Sequence, residues 1–290
     1  MASIIDLVGN TPMAEIKKLN PNPNVRIFAK LEGNNPGGSV KDRPALNMIK
    51  SALERGDIKP GTKLIEATSG NTGIALAMIA CLFDLEIELV MPSNSTRERT
   101  LTMEAFGAKV TLLEGIELCR DYAEEKGASG EYFLLNQFAN PDNYLAHYKT
   151  TGPEIWRDTE GQITHFVSSM GTTGTIMGNS RFFKERNPLI QIVGCQPTEG
   201  SSIPGIRRWP EAYLPKIFEP ERVDRVMDIS EAEATAMTRK LAKVEGIFAG
   251  MSSGGALAAT LKLAEELTSG TIVFVCCDRG DRYLSSELFG

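Results

Sequence analysis

Short runs of β-branched and apolar residues alternate along this chain with longer stretches of helical periodicity, and this alternation limits the fold more than any other feature. Nine runs predict strands, at residues 26–31, 63–66, 87–91, 109–113, 132–136, 164–168, 190–196, 225–229 and 272–276. One helix is predicted over residues 43–56, whose apolar face comprises Ala45, Leu46, Ile49, Ala52 and Leu53. Other helices are predicted up to Glu104 with Ser93 or Ser95 as the cap, over 231–244 and over 254–267. Strands alternating with helices of this length predict an α/β fold with parallel sheets and right-handed crossovers.

Nine strands are many for one small sheet, so we expect two α/β domains that share a crevice. The loops at residues 34–38 and 140–143, rich in Asn, Pro and Gly, are the predicted crossing points. The larger domain then comprises residues 1–38 and 144–290, and the smaller domain comprises residues 39–143. Because ligands of open parallel sheets bind beyond the carboxyl ends of the strands, the strand-to-helix loops are where function is expected.

Composition and charge exclude several classes of function. With only His147 and His165, the chain has too few histidines for most zinc or iron sites, so we expect no metal. A net charge of −6, with no cluster of Lys, Arg and aromatic residues, argues against nucleic-acid binding. No apolar run approaches the ~18 residues of a spanning helix. The N-terminal stretch also lacks a signal-peptide pattern, so we expect no membrane segment and a cytoplasmic location.

The cysteines give an independent indication of the compartment. There are five, an odd number, and none shows C-x-x-C spacing. Cys81, Cys195, Cys276 and Cys277 lie in apolar runs and are interpreted as small buried hydrophobic residues. Cysteines of this kind indicate a reducing compartment.

Three predicted strand-to-helix loops are unusually rich in Gly, Ser, Thr and Asn, at residues 66–73, 168–175 and 250–255. Each presents backbone N–H groups and hydroxyls at the start of a helix, where an anion is favoured. Any one of them is consistent with no more than a capped helix and a tight turn. Three such loops at the carboxyl ends of the strands favour a site for an anionic small molecule or cofactor. The common nucleotide loops, G-x-G-x-x-G after a strand and G-x-x-x-x-G-K-[ST], are absent.

A fourth feature is the segment GGSVKDR at residues 37–43, which leads into the first predicted helix. Most lysines are solvated, and Lys41 has that simple interpretation as well. Lys41 follows two glycines and lies at the start of a helix, and this position favours a second interpretation, that of a reactive amine. The helix dipole and burial both lower the pKa of an ammonium group. A deprotonated lysine forms a Schiff base with a carbonyl and can later move a proton.

Eight segments carry these features and their neighbours, in the order KLEGNNPGGSVKDR, EATSGNTGIALA, NQFANPDN, TTGPEIW, SSMGTTGTI, PGIRRW, GMSSGGA and CDRGDRYLS. Together they resemble the cysteine synthase family, the fold-type II pyridoxal-phosphate enzymes that carry out β-replacement. PGIRRW and CDRGDRYLS resemble the B branch of that family more than the A branch. The resemblance implies two three-layer αβα domains with mostly parallel sheets, similar to the tryptophan synthase β subunit, and an active site in the cleft between them.

The resemblance also implies a role for each loop. Lys41 would form the Schiff base with the cofactor and transfer the α-proton, Asn71 would bind the phenolic oxygen, and Ser252 would face the pyridine nitrogen. The cofactor phosphate would be held by Gly171, Thr172, Thr173, Gly174 and Thr175. The substrate carboxylate would be bound by Thr68, Ser69, Thr72 and Gln137, on the smaller domain, which can close over the site.

The reaction implied by the resemblance converts O-acetylserine and sulfide to cysteine and acetate through an α-aminoacrylate. Thiosulfate in place of sulfide would give S-sulfocysteine. O-phosphoserine as substrate, a larger thiol as in cystathionine β-synthase, and a catalytically silent binding homologue are the alternatives. The family further implies a homodimer, and docking of a serine acetyltransferase is possible.

The remaining candidates lie near the predicted pocket. Arg207 and Arg208 either form a solvated surface turn or make a positive site mouth that favours anionic partners. Cys277 and Asp278, at a strand end, are possible pocket neighbours, although a buried cysteine without a role is about equally plausible. The connection between residues 113 and 116 is a few residues shorter than in other family members.

Overall fold

The computed structural model describes residues 3–68 and 70–289, and within them the chain forms two β-sheets surrounded by helices. The strands are β1 Met13–Glu15, β2 Val25–Leu31, β3 Lys63–Ala67, β4 Glu86–Pro92, β5 Lys109–Leu113, β6 Phe133–Leu134, β7 His165–Ser169, β8 Gln191–Pro197, β9 Arg225–Ile229 and β10 Gly270–Cys276. The helices are α1 Asp42–Arg55, α2 Asn71–Leu82, α3 Arg97–Ala105, α4 Gly115–Ala128, α5 Pro141–Lys149, α6 Thr151–Asp158, α7 Gly174–Arg186, α8 Glu231–Lys240 and α9 Met251–Glu266.

The larger sheet has the strand order β1-β2-β10-β7-β8-β9 and the smaller one the order β5-β4-β3-β6. All neighbours run parallel except β1, which pairs antiparallel with β2 through Met13 and Lys30 at one end of its register. The chain leaves the larger sheet after β2, builds the whole smaller sheet, and returns at β7. The predicted α/β class with two mostly parallel sheets is therefore confirmed. The domain boundaries at residues 38/39 and 143/144 stay a prediction.

Several predicted local features are wrong. Strand β1 was not expected, because three residues are too few to show an alternating pattern. Helix α3 begins after Thr96, one residue beyond the expected Ser95 cap, and α9 begins at Met251, so Ser252 lies in a helical turn and not in a loop. Cys81 is exposed, because α2 reaches the surface in its last turn.

Helix α2 is apolar on all sides, and every residue from Thr72 to Ala80 is buried. Such a helix needs protein on every face, and it packs against α1, α3 and β4. The short 113–116 connection is also visible, because Glu114 alone separates β5 from α4. No helix in the described part of the chain combines the length and apolarity needed to cross a bilayer.

A buried network of charges joins the start of α1 to the larger sheet. The guanidinium of Arg43 donates to both carboxylate oxygens of Glu32 at 2.7 and 2.8 Å and to both oxygens of Glu154 at 2.7 Å. Lys30, on β2, lies 2.9 Å from Glu154 and donates to the carbonyl of Thr11. Although burial raises the pKa of Glu154, Arg43 and Lys30 lower it to about 2, so the carboxylate stays ionised.

A second buried carboxyl group, Glu66 at the end of β3, has no cationic partner. It is 1% exposed and accepts from the backbone N–H of Gln137 at 3.3 and 3.4 Å. Burial raises the pKa of Glu66 to about 8, because hydrogen bonds from Gln137 and neighbouring backbone groups offset only part of the desolvation. Glu66 is therefore protonated in the folded protein at neutral pH.

Replacing Arg43 with Met should destabilise the fold by about 3–5 kcal/mol, because Glu32 and Glu154 would stay buried with too little positive charge. Arg55→Met is the matched control, since Arg55 lies on the same helix but is half exposed and pairs with Asp57 and Asp142. Urea unfolding at pH 7 measures both variants. Equal losses of unfolding free energy would show that the buried network adds nothing beyond an exposed pair.

The free energy of unfolding of Glu66→Gln, relative to that of the wild type, should increase as the pH rises from 5 to 8. The folded wild type retains a proton that the unfolded chain releases above its ordinary pKa of 4.5. That group's contribution therefore falls by about 1.4 kcal/mol per pH unit until the pH passes the folded pKa. Urea unfolding at pH 5, 6.5 and 8 measures this, with the exposed Glu124→Gln as the control. Parallel curves for the wild type and Glu66→Gln would contradict the assignment.

Candidate active site

A cavity lies where strands of both sheets end. It is lined by segments that follow every strand from β3 to β8 and by the segment after β10, together with the residues before α1 and the first turn of α9. Of the predicted site residues, it is lined by Lys41, Asn71, Thr72, Gln137, Gly171, Thr172, Thr175, Arg207, Ser252 and Cys277. The three glycine-rich segments and the Lys41 segment thus meet in one place.

Lys41 is held at the start of α1 by the strand end of the larger sheet. The backbone N–H of Val40 donates to the carbonyl of Cys277 at 2.8 Å, and Ser39 forms a β-bridge with Asp278. Burial lowers the pKa of Lys41, while the nearby Cys277 and Asp278 oppose this shift. A lysine with a lowered pKa has a larger fraction of neutral amine, which is the form that attacks a carbonyl.

The loop before α7 is built to receive an anion. Thr173 adopts a left-handed backbone conformation (φ 69°), and α7 follows at once, so the first amides of the helix have no carbonyl a turn earlier. The hydroxyl of Thr173 is buried and has no hydrogen-bond partner in the structure. A β-carbon on Gly171 would lie 2.8 Å from the carbonyl oxygen of Gly205, so only glycine fits there. Free amides and a free hydroxyl fit a phosphate group.

Asn71, the first residue of α2, has its side-chain amide fixed from two sides. Its Nδ2 donates to Asp278 at 2.7 Å, and its Oδ1 accepts from Arg282 at 2.5 Å. Arg282 also donates to the carbonyl of Gly37, just before Lys41. Asp278 therefore does not line the cavity but orients a residue that does.

The predicted carboxylate-binding residues form a connected but uncharged group. Gln137 donates to the carbonyl of Ala67 at 2.7 Å and accepts from the hydroxyl of Thr72 at 2.8 Å. Thr68 does not line the cavity, because its hydroxyl accepts from the N–H groups of Gly70 and Gly73 at 3.1 Å and shapes the turn. Ser69 lies outside the described residues.

Ser252 and Cys277 lie side by side beneath the cavity. The carbonyl of Ser252 accepts from Ser169 at 2.7 Å, which ties α9 to the end of β7. Burial raises the pKa of Cys277 to about 12, and the charge of Asp278 adds to this. Cys277 is therefore a neutral thiol and a poor nucleophile.

The two neighbouring arginines point in different directions. Arg207 lines the cavity, and its backbone N–H donates to the carbonyl of Met170 at 2.9 Å. Arg208 does not line this cavity, because its side chain pairs with Asp228 at 2.6 Å and donates to the carbonyl of Pro197. Only Arg207 of the pair is placed to meet a bound molecule there.

Both histidines have structural surroundings. His147 is fully buried between the hydroxyls of Thr151 and Thr175, and burial lowers its pKa to about 3. The neutral ring thus supports the start of α7 from behind. Burial also lowers the pKa of His165. Within residues 3–68 and 70–289, no cluster of three His, Cys, Asp or Glu side chains is arranged to hold a metal ion.

Sequence reasoning missed two prominent side chains of the cavity, Arg99 and Trp209. Trp209 donates from its indole N–H to the carbonyl of Gly171 at 2.7 Å and packs edge-on against Phe138. Trp209 is the last residue of the segment PGIRRW, so that segment could have identified it as a residue of the site. Arg99, in the first turn of α3, belongs to none of the eight segments, and only the fold brings it to the cavity.

Comparison with known proteins agrees with this geometry. The family model "pyridoxal-phosphate dependent enzyme" matches residues 4–278. Cysteine synthase B of Pseudomonas aeruginosa is 58% identical over 290 residues, which span 99% of this chain and 97% of that protein. Cysteine synthase B of Escherichia coli is 55% identical over 293 residues, which span 100% and 97% of the two chains.

Solved structures give the same result. The cysteine synthase of Entamoeba histolytica superposes with a TM-score of 0.93 at 38% identity, covering 100% of this chain and 90% of that one. An O-acetylserine-dependent cystathionine β-synthase from Helicobacter pylori gives a TM-score of 0.92 at 38% identity, covering 100% and 99%. The chain therefore belongs to the family of pyridoxal-phosphate-dependent enzymes and, within it, to the cysteine synthases.

Proposed function

We propose that this protein makes cysteine from O-acetylserine and sulfide. The observation that carries the proposal is the meeting of a partly buried Lys41, whose pKa is lowered, with the loop before α7 in one cavity. The names of the relatives support the same reaction, since proteins more than half identical over their whole length are cysteine synthases.

Pyridoxal phosphate, when bound, withdraws electrons from the substrate and makes its α-proton acidic. Lys41 would hold the cofactor covalently, and Asn71 and Ser252 would contact its ring. Its phosphate would be held by Gly171, Thr172, Thr173, Gly174 and Thr175. Ser252 would offer a neutral hydroxyl and not a carboxylate to the pyridine nitrogen, which would leave that nitrogen largely unprotonated. This arrangement suits loss of a group from the β-carbon and disfavours transamination.

Lys41 would take the α-proton of the substrate and return it at the end of the reaction. Desolvation supports this role, because a lowered pKa increases the fraction of neutral amine that can accept a proton. The carboxylate of the substrate would be bound by Thr72, Gln137 and the turn shaped by Thr68, with Ser69 beside them.

Side chains around the cavity limit the access of water. Phe138 and Trp209 stack edge to face with centroids 5.5 Å apart, and Ile116 lines the same cavity. Ile116 lies in the first turn of α4, which follows β5 after Glu114 alone. Excluding water would protect an unsaturated product of elimination until sulfide adds to its β-carbon.

Arg207 favours an anionic sulfur donor as a second substrate. It lines the cavity, and burial lowers its pKa; the charge of Glu117 opposes this shift and that of Arg99 adds to it. A half-buried guanidinium beside another cation gains most from binding an anion. We therefore include thiosulfate, which would give S-sulfocysteine, while O-phosphoserine or a larger thiol are the alternatives that substrate comparison decides.

Other parts of the proposal concern the setting of the enzyme. All five cysteines are free, which agrees with a reducing compartment such as the cytoplasm. A homodimer and the docking of a serine acetyltransferase stay predictions.

Replacing Lys41 with Ala should lower kcat for cysteine formation by at least about 10³-fold, because the proton-transfer group and the covalent link are both lost. The measurement is cysteine release from O-acetylserine and sulfide after loading with pyridoxal phosphate. Borohydride reduction followed by peptide mass spectrometry should locate the cofactor on Lys41 of the wild type. Labelling of another lysine, or a wild type that releases no cysteine, would refute the proposed function.

Replacing Arg207 with Gln should lower kcat/KM for thiosulfate by about tenfold, because a charge-assisted contact is worth about 1.5–3 kcal/mol. The value for sulfide should change far less, since sulfide offers no oxygen atoms to the guanidinium. Arg186→Gln, an exposed arginine of α7, is the control. An equal loss for both donors would show that Arg207 does not select the donor.

A further inference from the structure

The cavity carries positive charge only. Its charged lining residues are Lys41, Arg99 and Arg207, and no Asp or Glu belongs to the described lining. The proposed function uses Lys41 for the proton and Arg207 for the sulfur donor. Arg99 is left without a task.

Arg99 is buried without a counter-ion. It is 7% exposed, no carboxylate of the described residues lies within 4 Å of it, and its Nε has no hydrogen-bond partner. Its guanidinium lies 5.1 Å from the ring centroid of Tyr283, whose hydroxyl is bonded to Asp278. An aromatic face stabilises a cation only in part. A buried side chain with an unpaired Nε, no counter-ion and a place in the cavity lining is suited to bind an anion.

The side chain of Arg99 also lies directly against the turn expected to bind the substrate carboxylate. A β-carbon at Gly70 would overlap the Cδ of Arg99 and lie 2.6 Å from its Nε, so glycine is required for this approach. The turn and its partners Thr68, Thr72 and Gln137 offer hydroxyls, amides and N–H groups but no charge. The nearby carboxyl group Glu66 is protonated and adds none. Arg99 thus places a cationic side chain in direct contact with this turn.

Arg207 does not share this position. It follows β8, and its backbone is bonded to the loop before α7, whereas Arg99 starts from α3 behind the smaller sheet. The two guanidinium groups therefore approach the cavity from the larger and the smaller sheet respectively.

We propose that Arg99 is a substrate-binding residue that supplies the positive charge for the α-carboxylate of the amino-acid substrate. The inference rests on the proposed function only in taking the substrate to be an amino acid. Thr72 and Gln137 then orient the carboxylate, and Arg99 compensates its charge from behind the turn. The same contact would draw α3 and the 68–73 turn together when substrate binds.

The test compares L-serine with L-serinamide as ligands of the pyridoxal-phosphate-loaded enzyme, followed by the change in visible absorbance. Serine lacks a good leaving group and so binds without reacting further, and serinamide carries a neutral amide in place of the carboxylate. Arg99→Gln should weaken serine binding by about tenfold or more, as expected for the loss of a charge-assisted contact. Serinamide binding should change by less than about twofold. Arg99→Lys should retain part of the serine affinity.

Arg97→Gln is the matched control, because Arg97 is an exposed arginine two residues earlier on the same helix. Equal weakening of serine and serinamide in Arg99→Gln would overturn the proposal and show that Arg99 only supports the turn. Unchanged serine binding with a loss confined to thiosulfate would place Arg99 with the sulfur donor and also overturn it. If Arg99→Gln does not fold, Arg99→Lys decides, since a selective loss for serine is required there too.

Failure of the proposed function is a separate result. A wild type that binds serine through Arg99 but releases no cysteine from O-acetylserine and sulfide would keep the carboxylate assignment and reject the reaction.

Discussion

The position of Lys41 depends on the charge network two residues further along the chain. Arg43 is buried with Glu32 and Glu154, and each carboxylate receives two hydrogen bonds from it. Burying these ions costs several kcal/mol each, and paired hydrogen bonds offset the cost only when the geometry is kept. The network therefore restricts where the start of α1 can lie relative to β2 and α6. Because Lys41 directly precedes α1, the network also fixes where Lys41 lies in the cavity lining.

The same network separates two requirements that would conflict in a single group. Lys41 must be desolvated so that its amine loses its proton near neutral pH, and a carboxylate in direct contact would oppose this. Glu32 and Glu154 pair with Arg43 and not with Lys41, which faces the cavity and has Asp278 as its nearby carboxylate. Firm anchoring and a lowered lysine pKa thus coexist on neighbouring residues.

Much of this site can be predicted from the sequence, and the reason is local. Glycine at position 171 and the helix start at α7 belong to a single loop. Both depend on residues that are adjacent in the sequence, so the sequence alone indicates them. Arg99 cannot be found this way, because only the packing of α3 against Gly70 brings it to the cavity. Likewise, Arg207 and Arg208 look equivalent in the chain. Only the pairing of Arg208 with Asp228 distinguishes them.

The segment after β10 is where the two sheets are coordinated. Cys277 bonds to Val40, Asp278 and Arg282 hold opposite ends of the Asn71 amide, and Tyr283 lies under Arg99. Asn71 and Arg99 belong to helices of the smaller sheet, whereas the segment itself extends the larger one. Any movement of the smaller sheet toward a bound substrate must therefore change these contacts. A carboxylate on Arg99 would shift charge next to Tyr283 and Asp278, and through Asn71 this shift would reach the cofactor ring. We therefore expect an anion bound at Arg99 to affect the orientation of the Asn71 amide through this segment.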